Sequence, residues 1–583
     1  MRVLGLSFDY HDAAAVLLQD GQILAASAEE RFTRKKHTSE FPQQAIAFAL
    51  QRAGLSIDDV DHVVFYEKPL RKFDRVLSTA LAGWPRTLPF FVKSIPVWLG
   101  RRLHVRRTIQ KALGSKRDIL FSSHHLSHAA SAFLLSPFEE AAILSVDGVG
   151  EWATTTWGQG RGLHFEVPEE IRFPHSLGLY YSALTSYLGF KVNDAEWKVM
   201  GLAPYGEPRF ANEFRQLLRT HEDGSFALDM RYFAHVGSTK SMINSRYEKL
   251  FGRSRRQPEA SLDDFHHDIA RSGQLVLEEA MLNLARAIRK RTGKNCLAIG
   301  GGVGLNSVAN WRIYREAGFD EVFIQPAAGD DGGALGAAAL VMANLGGVRT
   351  APMRHAHLGP EFSSAEIGAA IAARGLEARE HTPTELVRLV AARLHAGDIV
   401  GWFQGRAEFG PRALGARSIL ATPTDASMKD RINARVKYRE AFRPFAPSVP
   451  HECAHQFFEV PAGLEAPFML LVPPVRAEYR TKLPAITHAD GSARIQTVRH
   501  DVHPLYHQLL SAFGALSGMP VLLNTSFNVR GEPIVNTPAE ALATFERTGL
   551  DALAIGPWLV SAKQGPVDHE RGMRESVALE SDS

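Results

Sequence analysis

The chain has 583 residues, of which 45% are hydrophobic and 22% charged, and its formal net charge is +3. A single hydrophobic core rarely serves this length, so at least two domains are expected, and the near-neutral charge gives no general case for nucleic-acid binding. The two cysteines, Cys296 and Cys453, argue against a disulfide framework and are typical of a reducing compartment.

The first predicted elements lie in segment 4–24, LGLSFDYHDAAAVLLQDGQIL, which has the pattern strand, polar turn, strand, glycine turn. No secretory signal precedes it, so we expect a cytoplasmic protein. His11, in the polar turn, has a pKa range suited to general-base catalysis. The alternative is a turn histidine that hydrogen-bonds to the backbone.

The most apolar stretch, near residues 77–100, contains three prolines, Arg86 and Lys93, so no membrane span is expected. The run that follows at 101–117, RRLHVRRTIQKALGSKR, is the densest local basic sequence. We favour a solvated helix face; contact with an acidic acceptor or a membrane surface is the alternative.

Two histidines and two aspartates form a candidate metal site. His124 and His128 are four residues apart in the helix-like run HHLSHAASAFLL, so both imidazoles project from one face. Asp147 lies in a glycine turn after a strand, and Asp330 opens an alanine-rich run. Such donors suit iron(II) or zinc, and a set of two histidines and a carboxylate with open positions favours iron(II). The alternatives are an ordinary helix surface and aspartates that stabilise their own turns.

Segment 141–163 repeats the pattern of segment 4–24, with Asp9 and Asp147 at equivalent places after Leu-Ser-x. Two such hairpins suggest two related α/β halves that face a cleft, as in actin-like ATPases, whose hairpin turns hold nucleotide phosphates. A chance repetition is the alternative.

The segment AIGGGVGLN at 298–306 follows a short strand, and its glycines are expected to open a helix that contains Asn306. Its amides are candidates for contact with a phosphate or adenosine; a tight packing turn is the alternative. A domain boundary is expected at 346–360, where glycine, proline and polar residues break the helix pattern. Beyond it, ELVRLVAARLHAGDIVGWFQG predicts an amphipathic helix, a turn at Gly397-Asp398 and a buried strand.

The stretch from Arg406 to Arg443 holds nine basic and four acidic residues. Guanidinium groups and lysines suit phosphate oxygens. Its aromatic residues are not regularly spaced, as a platform for single-stranded nucleic acid requires, and its glycines and prolines indicate a shaped pocket. A solvated basic face is the alternative.

In order and in wording, these segments resemble the NodU/TobZ O-carbamoyltransferases. The resemblance covers most of residues 1–560 and is carried by FDYHDAAAVLL, HHLSHAASAF, SVDGVGEW, HSLGLYYSALTSYLGF, EWKVMGLAPYG, AIGGGVGLN, PAAGDDGGALGAA, GRAEFGPRALGARSIL and LLNTSFNVRGEPIV. It implies an α/β protein. A duplicated actin-like (ASKHA, ribonuclease H-like) domain at 1–348 would hold the nucleotide and the metal, and a YrdC-like α/β domain at 361–583 would form carbamoyladenylate.

The resemblance implies a reaction in two steps. Carbamoyl phosphate and ATP, with Mg²⁺, first give carbamoyladenylate, phosphate and pyrophosphate. The first domain then moves the carbamoyl group to a hydroxyl of a small-molecule acceptor, such as a sugar, an antibiotic or another natural product. Fe(II) or another divalent transition metal at His124, His128 and Asp330 would polarise the carbamoyl carbonyl or hold the adenylate phosphate. Asp147 would either complete the coordination or support it from behind.

The residue patterns and the resemblance together assign site residues. The catalytic residues would be His11, Asp12 and Asp147, and the nucleotide-binding residues Lys198, Gly301, Gly302, Asn306 and Asp331. Carbamoyl phosphate and ATP would contact Arg406, Arg412, Arg417, Lys437, Arg439, Arg443, Asn524, Asn528 and Arg530. If VKYREAFRP begins in a helix, Arg439 and Arg443 lie one turn apart and face one phosphate. The acceptor, the oligomeric state (a homodimer is one option) and the roles of segments 70–118 and 230–260 stay open.

Two other functions compete with this interpretation. A transferase that forms threonylcarbamoyladenylate for tRNA modification is disfavoured by the near-neutral charge and the long C-terminal extension. A non-catalytic, nucleotide-gated binding module is disfavoured by the intact set of His124, His128 and Asp330 and by the arginine-rich stretch.

Overall fold

The chain folds into two compact units. The computed structural model describes residues 1–562 except Arg86, Thr239 and Ala441, and leaves out the side chains of Pro89 and Phe90. The first unit comprises Met1–Ala26 and Ser39–Met353, and the second comprises Ser27–Thr38 and the chain from Arg354 onward. The end of the predicted 361–583 domain, from residue 563, lies outside the described residues.

The helices and strands alternate along the chain, as in other α/β proteins. The strands are β1 (Arg2–Ser7), β2 (Ala14–Gln19), β3 (Gln22–Ala28), β4 (His62–Phe65), β5 (Ile119–Phe121), β6 (Glu140–Val146), β7 (Ala153–Arg161), β8 (His164–Arg172), β9 (Leu218–Thr220), β10 (Phe226–Leu228), β11 (Cys296–Gly300), β12 (Glu321–Ile324), β13 (Ala378–Glu380), β14 (Val400–Phe403), β15 (Arg417–Ala421), β16 (Ala446–Pro450), β17 (Gln496–Val498), β18 (Leu522–Ser526), β19 (Ala552–Ile555) and β20 (Trp558–Ser561).

The α-helices are α1 (Glu30–Thr33), α2 (Gln43–Ala53), α3 (Pro69–Ala82), α4 (Leu88–Gly100), α5 (Val105–Ala112), α6 (His124–Phe133), α7 (Leu177–Tyr187), α8 (Glu196–Leu202), α9 (Ala211–Leu217), α10 (Ser245–Leu250), α11 (Asp264–Thr292), α12 (Ser307–Glu316), α13 (Asp330–Gly346), α14 (Ser364–Ala373), α15 (Pro383–His395), α16 (Met428–Ile432), α17 (Ala454–Phe457), α18 (Ala477–Arg480), α19 (Pro504–Ser517) and α20 (Pro538–Arg547). Within the described residues, no helix is long and apolar enough to cross a bilayer.

The first unit contains one sheet topology twice. The first sheet has the order β3-β2-β1-β4-β5, with β1 antiparallel to β2 and parallel to β4, and β4 parallel to β5. The second has the order β12-β11-β6-β7-β8, with β6 antiparallel to β7 and parallel to β11, and β11 parallel to β12. In each sheet the first strand lies at the centre, with the second and third on one side and the fourth and fifth on the other. This duplication confirms the predicted actin-like class.

Close packing of α13 fixes the position of its first turn. A Cβ atom added to Gly336 would lie 1.8 Å from the carbonyl oxygen of Ser127 in α6, and one added to Gly5 would lie 2.1 Å from that of Ala334. Contacts this close admit only glycine, which explains why α13 is rich in glycine and alanine. The helix therefore holds Asp330, its first residue, beside α6.

The second unit is built on an eight-stranded mixed sheet in the order β13-β20-β19-β14-β15-β18-β16-β17. The amphipathic helix predicted beyond the boundary is α15. It begins at Pro383 because the side chains of Thr382 and Glu385 cap its first turn reciprocally. The predicted buried strand is β14, all four residues of which are buried. Both predictions are confirmed.

Candidate active sites

Polar residues of the first unit follow the carboxyl ends of its parallel strands. β1, β4 and β5 run in one direction in the first sheet, as do β6, β11 and β12 in the second. The loops beyond such ends are the usual position of sites in open α/β sheets. The residues that follow them are His11 after β1, Tyr66 after β4, His124 after β5, Asp147 after β6, Gly302 after β11 and Asp330 after β12.

Four predicted metal ligands meet in this region. One donor atom from each of His124, His128, Asp147 and Asp330 lies within 4.8 Å of the other three. The Nε2 atoms of the two histidines are 3.1 Å apart, and His124 Nε2 is 3.0 Å from Asp147 Oδ2 and 3.6 Å from Asp330 Oδ1. Two ligands at about 2.1 Å from one ion are about 3.0 to 3.4 Å apart, so these side chains fit a single metal ion.

The remaining oxygen of each aspartate is held by the protein. The Gly302 amide donates to Asp147 Oδ1 at 3.0 Å, and the Tyr66 hydroxyl donates to Asp330 Oδ2 at 2.9 Å. Asp330 Oδ1, by contrast, is buried without a hydrogen-bond partner among the described residues. Each carboxylate therefore turns one oxygen toward the place where the two imidazoles meet, an arrangement that suits a bound cation.

The start of α6 is fixed by buried carboxylates. The carboxylate of Glu151 accepts hydrogen bonds from the main-chain amide of His124, at 2.9 and 3.1 Å, and from that of Lys68, at 2.9 Å. Glu67 Oε2 lies 3.6 Å from His124 Nδ1 and accepts a hydrogen bond from Lys72 Nζ. An acidic group at a helix N-terminus satisfies free amides and stabilises the helix dipole, so these contacts orient the His124 ring.

The charges of this cluster favour a cation. Burial alone would lower the pKa of His124, but Asp330 and Asp147 outweigh it and raise the pKa to about 10. Burial would raise the pKa of Asp330, but His11 and His124 lower it to about 2. The carboxylates therefore stabilise positive charge at this place, and a metal ion bound to neutral imidazole would supply it.

His11 lies at the rim of this cluster. Its Nδ1 is 2.9 Å from Asp12 Oδ2, its Nε2 is 3.9 Å from Asp330 Oδ2, and 27% of its side chain is exposed. Burial opposes protonation, but Asp330 and Asp12 raise the pKa of His11 well above its ordinary value. The predicted catalytic pair of His11 and Asp12 is therefore in contact, with Nε2 facing the metal-binding group.

The glycine turn after β11 packs against the turn that contains Asp147 and donates a hydrogen bond to it. Gly301 has φ 86°, and an added Cβ atom would lie 2.3 Å from the carbonyl oxygen of Val146. The amide of Gly302, predicted to face a nucleotide, is directed at Asp147. The turn therefore orients Asp147.

The side chain of Asn306 is occupied by the protein. Asn306 does not lie within the helix, as expected, but precedes it: its Oδ1 accepts from the Ala309 amide at 3.0 Å and caps α12. Asn306 and Gln274 also exchange two hydrogen bonds of 3.0 Å. These bonds use the polar atoms that a nucleotide contact requires, so we do not retain that role for its side chain.

The other two predicted nucleotide residues lie on separate helices. Lys198, in α8, is buried with Nζ 5.6 Å from the centre of the Phe190 ring and 6.0 Å from that of Trp197. Asp331, in the first turn of α13, accepts a hydrogen bond from the Gly332 amide at 3.0 Å. The two rings attract the ammonium group of Lys198 and help to hold it in place.

The second unit gathers five cationic side chains, which we call the cationic pocket: Arg412, Lys437, Arg439, Arg443 and Arg494. Burial, then Arg439 and Arg443, holds the pKa of Lys437 well below its ordinary value. Burial and Arg443 lower the pKa of Arg439 to about 9, and burial lowers that of Arg412 to about 10. The pKa of Arg494 is depressed by burial and by Arg412 and Arg439. These buried charges destabilise one another, and an anion would relieve that repulsion.

Glu532 acts on Lys437, and a second carboxylate lies beside the cationic pocket. Glu440 lies 2.7 Å from Arg443 Nε. Arg412 Nε, Arg494 Nε and Arg439 Nη2 are buried and, within the described part of the chain, have no hydrogen-bond partner. Because desolvated charges are costly unless paired, this pocket fits a ligand with several negative charges, such as a nucleoside triphosphate.

The loop after β18 orients Lys437. Its Nζ donates to Asn528 Oδ1 at 2.8 Å and to Ser526 Oγ at 3.2 Å. Asn524 lies deeper, where its amide donates to Ser448 Oγ at 3.1 Å and Gln496 Oε1 at 3.0 Å. Arg530 follows in the same loop and is partly exposed.

Two predicted phosphate ligands have structural contacts instead. Arg417 is fully buried, donates to the carbonyl oxygens of Gln404 and Pro360 at 3.0 Å, and lies 3.6 Å from the centre of the Phe403 ring. Arg406 donates to the carbonyl oxygens of Leu358 and Gly359. Because carbonyl groups already occupy these guanidinium groups, we exclude both arginines from the cationic pocket.

The helical relationship expected between Arg439 and Arg443 is wrong. A turn of π-helix at Asn433–Lys437 ends at Tyr438, which has φ 47° in the left-handed region. A left-handed residue of this kind ends a helix. The two arginines come together through the loop that follows, and not along one helix face.

Comparison with known proteins shows the family of the chain. Residues 2–339 match the family described as "Carbamoyltransferase N-terminus", and residues 391–562 match "Carbamoyltransferase C-terminus". The chain belongs to the carbamoyltransferase family. It is 46% identical over 600 residues to the uncharacterized protein sll1178 of Synechocystis sp., covering 97% of each chain. It is 39% identical over 576 residues to nodulation protein NolNO of Sinorhizobium fredii, covering 96% of this chain and 80% of that one.

The predicted family is thus confirmed, and the protein is an enzyme of the carbamoyltransferase type. Sequence patterns had missed several residues of this carbamoyltransferase. Tyr66 and Glu67 directly follow the apolar run HVVF. Their position after the carboxyl end of a buried strand could have indicated a site. No sequence signal indicated Arg494, because it is an isolated basic residue between small and apolar residues.

Proposed function

We propose that this carbamoyltransferase acts in two half-reactions. In the second unit, carbamoyl phosphate and ATP give carbamoyladenylate, phosphate and pyrophosphate. Water first converts carbamoyl phosphate to carbamate and phosphate. A carbamate oxygen then attacks the α-phosphate of ATP and displaces pyrophosphate. In the first unit, the carbamoyl group passes from the adenylate to a hydroxyl of a small-molecule acceptor, with AMP as the leaving group.

The cationic pocket is the observation that best supports the first half-reaction. Five positive side chains, with Glu440 beside Arg443 and Glu532 acting on Lys437, suit the phosphates of ATP and of carbamoyl phosphate, together with Mg²⁺. Lys437, held in position by Ser526 and Asn528, supplies a positive charge while its ammonium group is protonated. Because these cationic side chains are already in place, they would stabilise the negative charge of the transferring groups without rearranging during the reaction.

The grouping of His124, His128, Asp147 and Asp330 supports the second half-reaction. A divalent transition ion such as Fe(II), held by these four side chains, would supply a Lewis acid for the carbamoyl carbonyl or the adenylate phosphate. Asp12 holds Nδ1 of His11, and a metal ion that offsets the charge of Asp330 would lower the raised pKa of His11 and leave Nε2 to accept the proton of the acceptor hydroxyl. Lys198 and the turn at Gly301 are proposed to contact the nucleotide.

Separating the half-reactions tests this proposal. Pyrophosphate release from ATP and carbamoyl phosphate is measured with the acceptor omitted, and carbamoyl transfer is measured in a screen of hydroxylated metabolites. We expect release that depends on carbamoyl phosphate and is not supported by bicarbonate with threonine. Release with bicarbonate and threonine alone would assign the enzyme to threonylcarbamoyladenylate synthesis, and no release under any condition would contradict an adenylate-forming unit.

A further inference from the structure

Large apolar side chains are exposed along α3 and α4 of the first unit. Of the twelve most exposed large hydrophobic residues in the described chain, seven lie between residues 70 and 99. Six of these are at least half exposed, and we call them the α3–α4 surface: Leu70, Leu81, Trp84, Val92, Val97 and Leu99. Single exposed apolar residues are ordinary, but a concentration of this kind marks a contact surface.

The opposite face of α3 is anchored in the protein. Lys72 Nζ donates to buried Glu67, and Arg75 Nη1 donates to the carbonyl oxygen of Gly150 at 3.0 Å. The rings of Phe73 in α3 and Trp98 in α4 lie 5.9 Å apart, which joins the two helices. The α3–α4 surface is therefore the outer side of packed helices.

The same segment is strongly basic. Residues 69–117 contain twelve basic residues and one acidic residue, a net charge of +11 in a chain whose total is +3. Lys93 is exposed on α4 itself, and Arg101, Arg107 and Lys111 are exposed just beyond it. A partner for this region must accept apolar side chains and supply negative charge.

We propose that the α3–α4 surface docks on an anionic lipid bilayer. Exposed apolar side chains bordered by lysine and arginine are the pattern of helices that lie in a membrane interface. Anionic headgroups attract such basic segments, and the acyl boundary receives the apolar side chains. A second copy of this chain is a poor occupant, because it would oppose a segment of +11 with an identical one.

The dimensions of α4 agree with a helix that lies in the interface. Its 13 residues span about 20 Å, less than the roughly 30 Å of a hydrocarbon core, and it contains Lys93 and Pro96. Trp84 lies between the two helices, and tryptophan favours the level of the headgroups. Lys93 extends toward the headgroups while its neighbours insert.

The full-length protein is tested by sedimentation with vesicles of phosphatidylcholine alone and of equal parts phosphatidylcholine and phosphatidylglycerol. We expect binding to the mixed vesicles that weakens with salt, because the Debye length falls from about 10 Å at 0.1 M to about 3 Å at 1 M. Trp84→Ser with Val92→Ser should lower the partition coefficient on the order of tenfold. Arg107→Ser with Lys111→Ser should weaken binding only to the mixed vesicles.

A matched control replaces exposed leucines elsewhere, Leu345→Ser with Leu516→Ser, and should bind like the wild type. Brominated lipid should quench tryptophan fluorescence in the wild type, and Trp84→Phe should lose part of that quenching while it still binds. Unchanged binding in the Trp84/Val92 variant would overturn the proposal. Absence of vesicle binding by the wild type would also overturn it. If that protein is a dimer and the Trp84/Val92 variant dissociates it, the surface is a contact between two copies of the chain.

Discussion

His124 Nε2 lies 3.1 Å from His128 Nε2, at the centre of a buried group that also contains two carboxylates. Two neutral imidazoles can share only one hydrogen bond, whereas two ligands of one metal ion have this separation without any proton between them. The Nδ1 atom of His128 is buried with no hydrogen-bond partner in the residues the structure describes. No hydrogen bond at Nδ1 therefore decides which ring nitrogen of His128 carries the proton.

We therefore predict that His124→Ala or His128→Ala lowers the bound metal and abolishes carbamoyl transfer, while pyrophosphate release without acceptor survives. Metal analysis of the purified variants checks this. The matched control is His125→Gln on the same helix, because His125 faces Thr156 at 3.3 Å and lies outside the donor group. Full metal occupancy in both alanine variants would exclude these ligands.

The second prediction concerns Tyr66, whose hydroxyl donates to Asp330 Oδ2. Tyr66→Phe removes a hydrogen bond that orients a ligand, and such losses typically lower metal affinity on the order of tenfold or more. Competition with a metal chelator measures the affinity. Tyr180→Phe is the control, since its buried hydroxyl donates to the Gly273 carbonyl, away from the metal group. Equal affinity of wild type and Tyr66→Phe would show that Asp330 is oriented by other contacts.

Much of the first unit could be predicted from local patterns. The two hairpins, the helix spacing of His124 and His128, and the turns of Asp147 and Asp330 depend on neighbours in the sequence, and the structure contains them. Equivalent position did not imply equivalent role, however. Asp9 occupies the place of Asp147 in the repeat, yet it pairs with Arg101 at 3.0 Å. A charge partner about 90 residues away cannot be inferred from a repeat.

Contacts distant in sequence explain what prediction missed. Segment Ser27–Thr38 belongs to the second unit, where Arg31 donates to the Gly410 carbonyl and Arg34 to those of Pro533 and Ile534. No local pattern indicates a partner hundreds of residues away. Likewise, composition placed Arg417 with the phosphate ligands, but its environment made it a buried donor to carbonyl groups.

The third prediction concerns the packing of α13. Gly336→Ala places a Cβ atom against the Ser127 carbonyl oxygen, and overpacking of this kind costs about 1 to 3 kcal/mol. Because the same contact holds Asp330 beside α6, metal affinity should fall together with thermal stability. Gly100→Ala, where an added Cβ atom meets nothing within 4 Å, is the control. A Gly336→Ala protein with wild-type unfolding and metal affinity would contradict this account of α13.

The fourth prediction separates charge from geometry at Arg443. Arg443→Lys keeps a positive charge but loses the fork that can bind two phosphate oxygens. We expect pyrophosphate release to fall on the order of tenfold, equivalent to about 1.4 kcal/mol of transition-state stabilisation. Arg431→Lys, in the same basic stretch but paired with Asp425, should have little effect. Wild-type release in Arg443→Lys would remove this arginine from the proposed ligands.

The last prediction is a pH dependence of the first half-reaction. Burial, together with Arg439 and Arg443, holds the pKa of Lys437 well below its ordinary value. As the pH rises through that lowered pKa, the ammonium that faces the phosphates loses its charge. The kcat/KM for pyrophosphate release should therefore fall at a pH below the ordinary range of lysine.

Bound ATP stabilises the charged form of Lys437, so the corresponding fall in kcat should lie at higher pH than that in kcat/KM. Lys437→Arg should remove the alkaline fall, because a guanidinium stays protonated, although lower activity is expected from its different shape. Lys482→Arg, at an exposed position, should keep the wild-type profile. An unchanged alkaline fall in Lys437→Arg would mean that another group titrates, and the proposed role of Lys437 would have to be withdrawn.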